Sequence, residues 1–182
     1  MMKITLLKKA NLFRAKSTYA LLRDECEIGR LTDTGLGDLV EMAVDGKAWR
    51  IERTRAGIAT GRLSGIRNLL SRKTTGEFRL VDPAGAEFAT ARQPMLYQFT
   101  ITAGPVTLDV PGGKGQKTAK LHVMNERGEA IGELSQAPWK ITGRTDWFSS
   151  LPSNTDPLLE IFALYLYVMS EQIVEKSTSY SN

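Results

Sequence analysis

The segment DPLLEIFALYLYVMSEQIVEK, residues 156–176, limits what this chain can become more than any other stretch. Leu158, Leu159, Ile161, Phe162, Leu164, Tyr165, Leu166, Tyr167, Val168 and Met169 leave no polar stripe through its middle. Asp156 is placed to cap a helix, and Pro157 suits the first helical position. Glu160 favours the positive end of the helix dipole and Lys176 the negative end. The pattern predicts a helix over 157–176, about 30 Å long at about 1.5 Å per residue. Its uncharged run, Ile161 to Ser170, is interrupted by Glu160 and Glu171, far short of the ~18–20 apolar residues that a membrane span needs. A helix lying on a membrane keeps one charged face, and this one has none. A helix that is apolar all round is buried all round. Enclosing ten such side chains is worth roughly 15–30 kcal/mol gross. The wrapper has to come from residues 1–155 or from a partner chain.

Upstream the hydrophobic period is two rather than 3.6. AWRIER sets Trp49 and Ile51 against Arg50 and Glu52, and YQFTIT sets Tyr97, Phe99 and Ile101 against Gln98, Thr100 and Thr102. EFRLVD, VTLDV and AKLHV alternate in the same way, each reading as a strand with one wet and one dry face. Asp82-Pro83-Ala84-Gly85 and Asn125-Glu126-Arg127-Gly128 fit type I turns, and Asp45-Gly46 fits a two-residue hairpin turn. Strands are predicted near 2–7, 18–23, 26–31, 38–44, 47–53, 57–63, 77–82, 86–92, 95–103, 106–110, 117–124, 130–134 and 138–144, with 64–74 a loop holding a helical turn.

Geometry joins the strands to the helix. A helix is about 10–12 Å across, and a sheet stands about 10 Å from what it covers, so the enclosing barrel is roughly 20–24 Å wide. Strands about 4.8 Å apart and tilted by about 40° then number ten to twelve around the ring. The expectation is a mainly β (α+β) fold: one domain over 1–182, a closed antiparallel barrel of about twelve strands around a central hydrophobic C-terminal helix. RDECEIGRL, VDPAGAEFATA and MNERGEAIGEL share a turn, an acidic position, an apolar residue and then Gly or Ala, with Gly29 and Gly132 suited to bulges or crowded bends.

The hairpins LVDPAGAEFATA and VMNERGEAIGEL, the Trp139-Lys140-Ile141 strand and the apolar closing helix together resemble the tubby-like superfamily, which takes in the tubby C-terminal domain, LURP-one-related proteins and phospholipid scramblases. The resemblance covers nearly the whole chain and is architectural. It implies a twelve-stranded barrel threaded by its helix, and association with phosphoinositide or a membrane surface. No family ligand pocket is matched residue by residue, and scramblase-type calcium-binding and lipidation motifs are absent.

Charge points the same way without settling it. Residues 1–75 carry 15 Lys and Arg against 8 Asp and Glu, while 76–182 carry 9 against 12. The excess centres on 47–73, where eight cations face Glu52 alone. It suits an anionic partner or the solvated outer faces of strands. Candidate contacts for an anionic lipid headgroup are Arg50, Arg53, Arg55, Arg62, Lys114, Lys117 and Lys120. A protein partner is the alternative, including an assembly into which the helix itself packs. Nucleic acid is not expected, because alternation sends Trp49 to the face opposite Arg50.

Chemistry is sparse. His122, the single histidine, is predicted on a wet strand face beside Lys120; Cys26 sits among three acids, surroundings that do not activate a nucleophile. One His and one Cys build no zinc site, so no metal or cofactor is expected. PGGKGQKT departs from a phosphate loop because Gln116 intervenes before Lys117 and a strand follows. Asp146 reads as a loop residue near the helix entry. One cysteine and no apolar leader point to a cytoplasmic protein, and the tubby-like resemblance implies that it is peripheral at the membrane. The reading is a non-enzymatic binding or scaffold module, with an enzyme of unrecognised site as the remaining option.

Overall fold

The computed structural model describes residues 1–8, 17–33, 39–56, 76–112, 120–137 and 146–179. They form twelve strands: β1 (Met2–Lys8), β2 (Ser17–Arg23), β3 (Cys26–Asp33), β4 (Leu39–Val44), β5 (Lys47–Ala56), β6 (Gly76–Val81), β7 (Glu87–Met95), β8 (Gln98–Ala103), β9 (Val106–Val110), β10 (Lys120–Met124), β11 (Ala130–Gln136) and β12 (Asp146–Ser149). Helix α1 (Pro157–Ser179) follows. Each strand is antiparallel to its neighbours in sequence. β12 returns to β1, with Met2 opposite Ser149 and Ile4 opposite Trp147, and the sheet closes into a barrel.

The period-two pattern places one face of every strand inside. Ile4, Tyr19, Leu31, Val40, Met42, Ile51, Phe78, Leu80, Phe99, Ile101, Leu108, Leu121, Val123 and Leu134 are all buried in one core. α1 occupies its middle: every residue from Ile161 to Val168 is 0% exposed, which covers more than two turns and leaves no outward side. Asp156 starts the helix as its sequence implies, accepting a 2.8 Å hydrogen bond from the Leu158 N–H on its Oδ1 and a 3.1 Å bond from the Glu160 N–H on its carbonyl. The helix runs three residues beyond its expected end. It enters where Arg23 closes β2, 3.7 Å from Glu160, and reaches the β7–β8 turn with Ser170.

The three similar sequence segments share a structure. In the β2–β3, β6–β7 and β10–β11 hairpins one extra residue interrupts the register: Ile28, Phe88 and Ile131 respectively. All three pack against the core from partly buried positions. The next residue is Gly29, Ala89 or Gly132, and the hairpins recur every four strands around the barrel. A Cβ on Gly29 would stand 1.9 Å from the Ala43 carbonyl oxygen, and one on Gly132 2.4 Å from that of Ser150. At Gly29 and Gly132 the bulge sharpens the local twist and brings the neighbouring backbone too close for a side chain, whereas the β6–β7 bulge leaves room for the Ala89 methyl.

Some expectations are corrected. The predicted strand 95–103 is broken at Leu96-Tyr97, where Tyr97 takes a left-handed backbone (φ 63°) and the chain turns from β7 into β8. Tyr97 stays buried, so the alternation survived the turn that hid the break. Asp146 is not a loop residue: it opens β12 and accepts a 2.9 Å hydrogen bond from the Thr5 hydroxyl of β1. The strands expected at 57–63 and 138–144, the 64–74 loop and most of PGGKGQKT lie outside the described residues.

Candidate functional site

Hairpin chemistry sets up the outer face of β3–β5. Asp45 and Gly46 both adopt positive φ (48° and 75°), which makes a tight turn and fixes Val44 opposite Lys47. Glu41 is then opposite Arg50, and Ala43 opposite Ala48. β3 adds Thr32 beside Glu41 and Arg30 beside Ala43. Because period two sends Val40, Met42 and Val44 inward, these residues share the outer surface. The two alanines leave an open groove of about 430 Å³, walled by Arg30, Glu41, Trp49, Arg50 and Pro83. Trp49 is half-buried, packs against the core and meets Phe88 edge to face with ring centroids 5.6 Å apart.

The charges around the groove are unequally matched. Glu52 binds Arg79 tightly, its Oε2 accepting from Nε at 3.0 Å and from a terminal nitrogen at 2.7 Å. Arg50 reaches the same carboxylate only at 3.6 Å. Two guanidiniums thus share one carboxylate, and the surplus positive charge rests on Arg50. The Arg50 Nε is shielded from solvent and has no hydrogen-bond partner. Arg30, by contrast, holds Glu27 at 2.8 Å. Glu41 is exposed and makes no ion pair among the described residues.

Of the other sequence candidates, Arg53 and Lys120 are described with their side chains, and neither lines this groove. Arg53 is opposite Phe78 on β6 and only partly exposed, on the strand face that alternation assigns to Ile51. Arg55 belongs to β5, but its side chain is not among those described; Arg62, Lys114 and Lys117 are outside the described residues. Lys120 opens β10, five strands away around the barrel from β5, and pairs with Glu133 at 3.2 Å. His122 stands exposed beside the same Glu133, and Cys26 is an exposed free thiol. Arg30, Glu41 and Trp49 were not singled out from sequence as a site. The signal was present: the Asp45-Gly46 turn places Glu41 opposite Arg50 by counting alone.

A second outer cleft, about 490 Å³, lies over β5–β8 and is lined by Thr54, Thr90, Arg92, Thr100 and Thr102. Thr100 already donates to Asp109 at 2.6 Å, and Phe78, the aromatic residue in the lining, is buried in the core. Inside the barrel, polar groups serve the helix. Tyr165 donates to Asp33, Gln93 donates to Ser170 at 2.9 Å, and Ser170 donates to the Leu166 carbonyl at 3.1 Å. Burial, reinforced by Glu171, pushes the Tyr167 hydroxyl well above its usual range and keeps it protonated. Among the described residues no helix is long and apolar enough to cross a membrane. The chain matches no family model, no curated protein and no solved structure with which it was compared.

Proposed function

We propose that this chain is a non-enzymatic binding module of the tubby-like kind, cytoplasmic and peripheral, whose β3–β5 face takes an anionic phospholipid headgroup at a membrane surface. The observation that carries the reading is the Arg50 guanidinium: one N–H is shielded without an acceptor, and its carboxylate neighbour is committed to Arg79. The Arg50 side chain as a whole is 41% accessible, and an arriving phosphate makes its charge-assisted bond there. The Ala43–Ala48 floor and Trp49 add apolar surface beside that charge, as an interfacial site needs. The basic excess of 47–73 in the sequence adds attraction at longer range.

The test is co-sedimentation with phosphatidylglycerol–phosphatidylcholine vesicles against phosphatidylcholine alone at low salt, for the native chain and Arg50→Ala. Binding to the anionic vesicles is expected to fall about fivefold in the variant, the worth of one cation near a charged bilayer, and to weaken with added salt. Equal and negligible binding to both vesicle types removes the reading and leaves a protein partner as the occupant of the groove.

A further inference from the structure

The groove carries an anion as well as a cation. Glu41 and Arg50 are cross-strand partners on one face, a position in which opposite charges normally attract. They do not pair: Arg50 leans along its own strand to Glu52, and Glu41 is left without an ion pair among the described residues. The groove therefore presents a guanidinium short of an acceptor and a carboxylate short of a cation, with Trp49 on its wall.

Charge complementarity to that arrangement is specific. A headgroup that is only anionic satisfies Arg50 but brings like charge up to Glu41. A polyphosphorylated headgroup is worse, since each further phosphate adds repulsion. A headgroup with a phosphodiester and, a few bonds away, an ammonium satisfies both side chains, and the ammonium gains the face of an indole ring besides.

Resting on the membrane-surface reading above, we infer that the groove selects an anionic phospholipid that also bears a primary amine, of the phosphatidylserine kind. Its phosphodiester meets Arg50, its ammonium sits between Glu41 and Trp49, and its carboxylate is turned away from Glu41 toward Arg30 on the groove's other wall. Glu41 is the specificity-determining residue and Arg50 supplies the attraction. No bond is made or broken, so neither residue is catalytic.

Vesicles of phosphatidylcholine containing equal mole fractions of either phosphatidylserine or phosphatidylglycerol separate the two claims, because the lipids carry the same net charge while the serine headgroup adds an ammonium together with a carboxylate. The native chain is expected to prefer the serine lipid about threefold, the scale of one exposed charge pair. Glu41→Gln is expected to level the two lipids by raising binding to phosphatidylglycerol. Arg50→Ala is expected to lower both. Circular dichroism confirms that each variant is folded, and both positions lie on the outer face, away from the core.

Equal binding of the native chain to the two anionic lipids, above phosphatidylcholine, overturns the selectivity and leaves the membrane reading standing. A serine preference that persists undiminished in Glu41→Gln overturns the assignment to Glu41. No binding to any of the vesicles overturns both.

Discussion

Tyr165 Oη donates a 2.8 Å hydrogen bond to Asp33 Oδ2, joining the middle of the apolar helix to the inner end of β3. Both residues are buried, Tyr165 fully. A helix that is greasy all round could slide or rotate in its sleeve with little change in contact area. Directional bonds at fixed depth remove that freedom, and Ser170 repeats the device with Gln93 and the Tyr97 N–H.

Tyr165→Phe keeps the ring and deletes the bond. It is expected to destabilise the fold by about 0.5–1.5 kcal/mol, the net worth of one hydrogen bond. Urea unfolding checks this: the midpoint falls and the slope is unchanged. An unaltered midpoint would show that Asp33 is satisfied without the tyrosine.

Ser170→Ala removes a hydroxyl that accepts from Gln93 and Tyr97 and donates to Leu166. Its cost is expected to be about 1–3 kcal/mol. A double-mutant cycle with Gln93→Ala is expected to be non-additive, as contacting residues are. Strict additivity counts against a shared bond.

Gly29→Ala forces a methyl against the Ala43 carbonyl oxygen at 1.9 Å, where the obstacle is backbone and cannot turn aside. The expected cost is about 3 kcal/mol or more, at the top of the range for overpacking. Gly46→Ala meets nothing within 4 Å, and its positive φ is the sole penalty, about 1–2 kcal/mol. Thermal unfolding of the two variants ranks them, and the reverse order would sink the close-approach argument.

Glu160 titrates above the ordinary carboxylate value of 4.5, chiefly because burial disfavours its charge; Ser149, Arg23 and the Leu151 backbone offset this in part. With a folded value above the unfolded one, the stability linked to this group is fully present below 4.5 and is lost as pH rises through the folded value. Glu160→Gln removes that loss. The variant is expected to gain in melting temperature relative to the native chain as pH is raised from 4 to 7, a range spanning about three units. A difference that does not change with pH refutes the account.

The segments that reasoning from sequence read well are those where one physical demand dominates. Ile161 to Val168 had no polar face, so enclosure followed. Asp82–Gly85 and Asn125–Gly128 had turn residues whose hydrogen bonds, 3.0 and 2.9 Å from the fourth residue to the first, recur in the structure. β12 escaped because Asp146-Trp147-Phe148-Ser149 is too short to show a period, and its pairing comes from β1, at the far end of the chain. The groove escaped for a different reason. Its walls come from three strands and a turn, and the contest between Arg50 and Arg79 for Glu52 depends on side-chain direction, which no periodicity reports. Parity assigns Trp49 to the interior, where it packs on the core, and does not show that the residue also borders the groove.

α1 comes after all twelve strands in the chain. A polypeptide made from its amino end therefore exposes every strand before the segment that fills them has been synthesised. An empty ring of this width has nothing to hold its walls apart, so closure and filling have to be one event, and a late one. Until it happens the strands present unpaired edges and apolar faces, which makes this a chain whose yield in a cell depends on what shelters it while it waits for its own last helix.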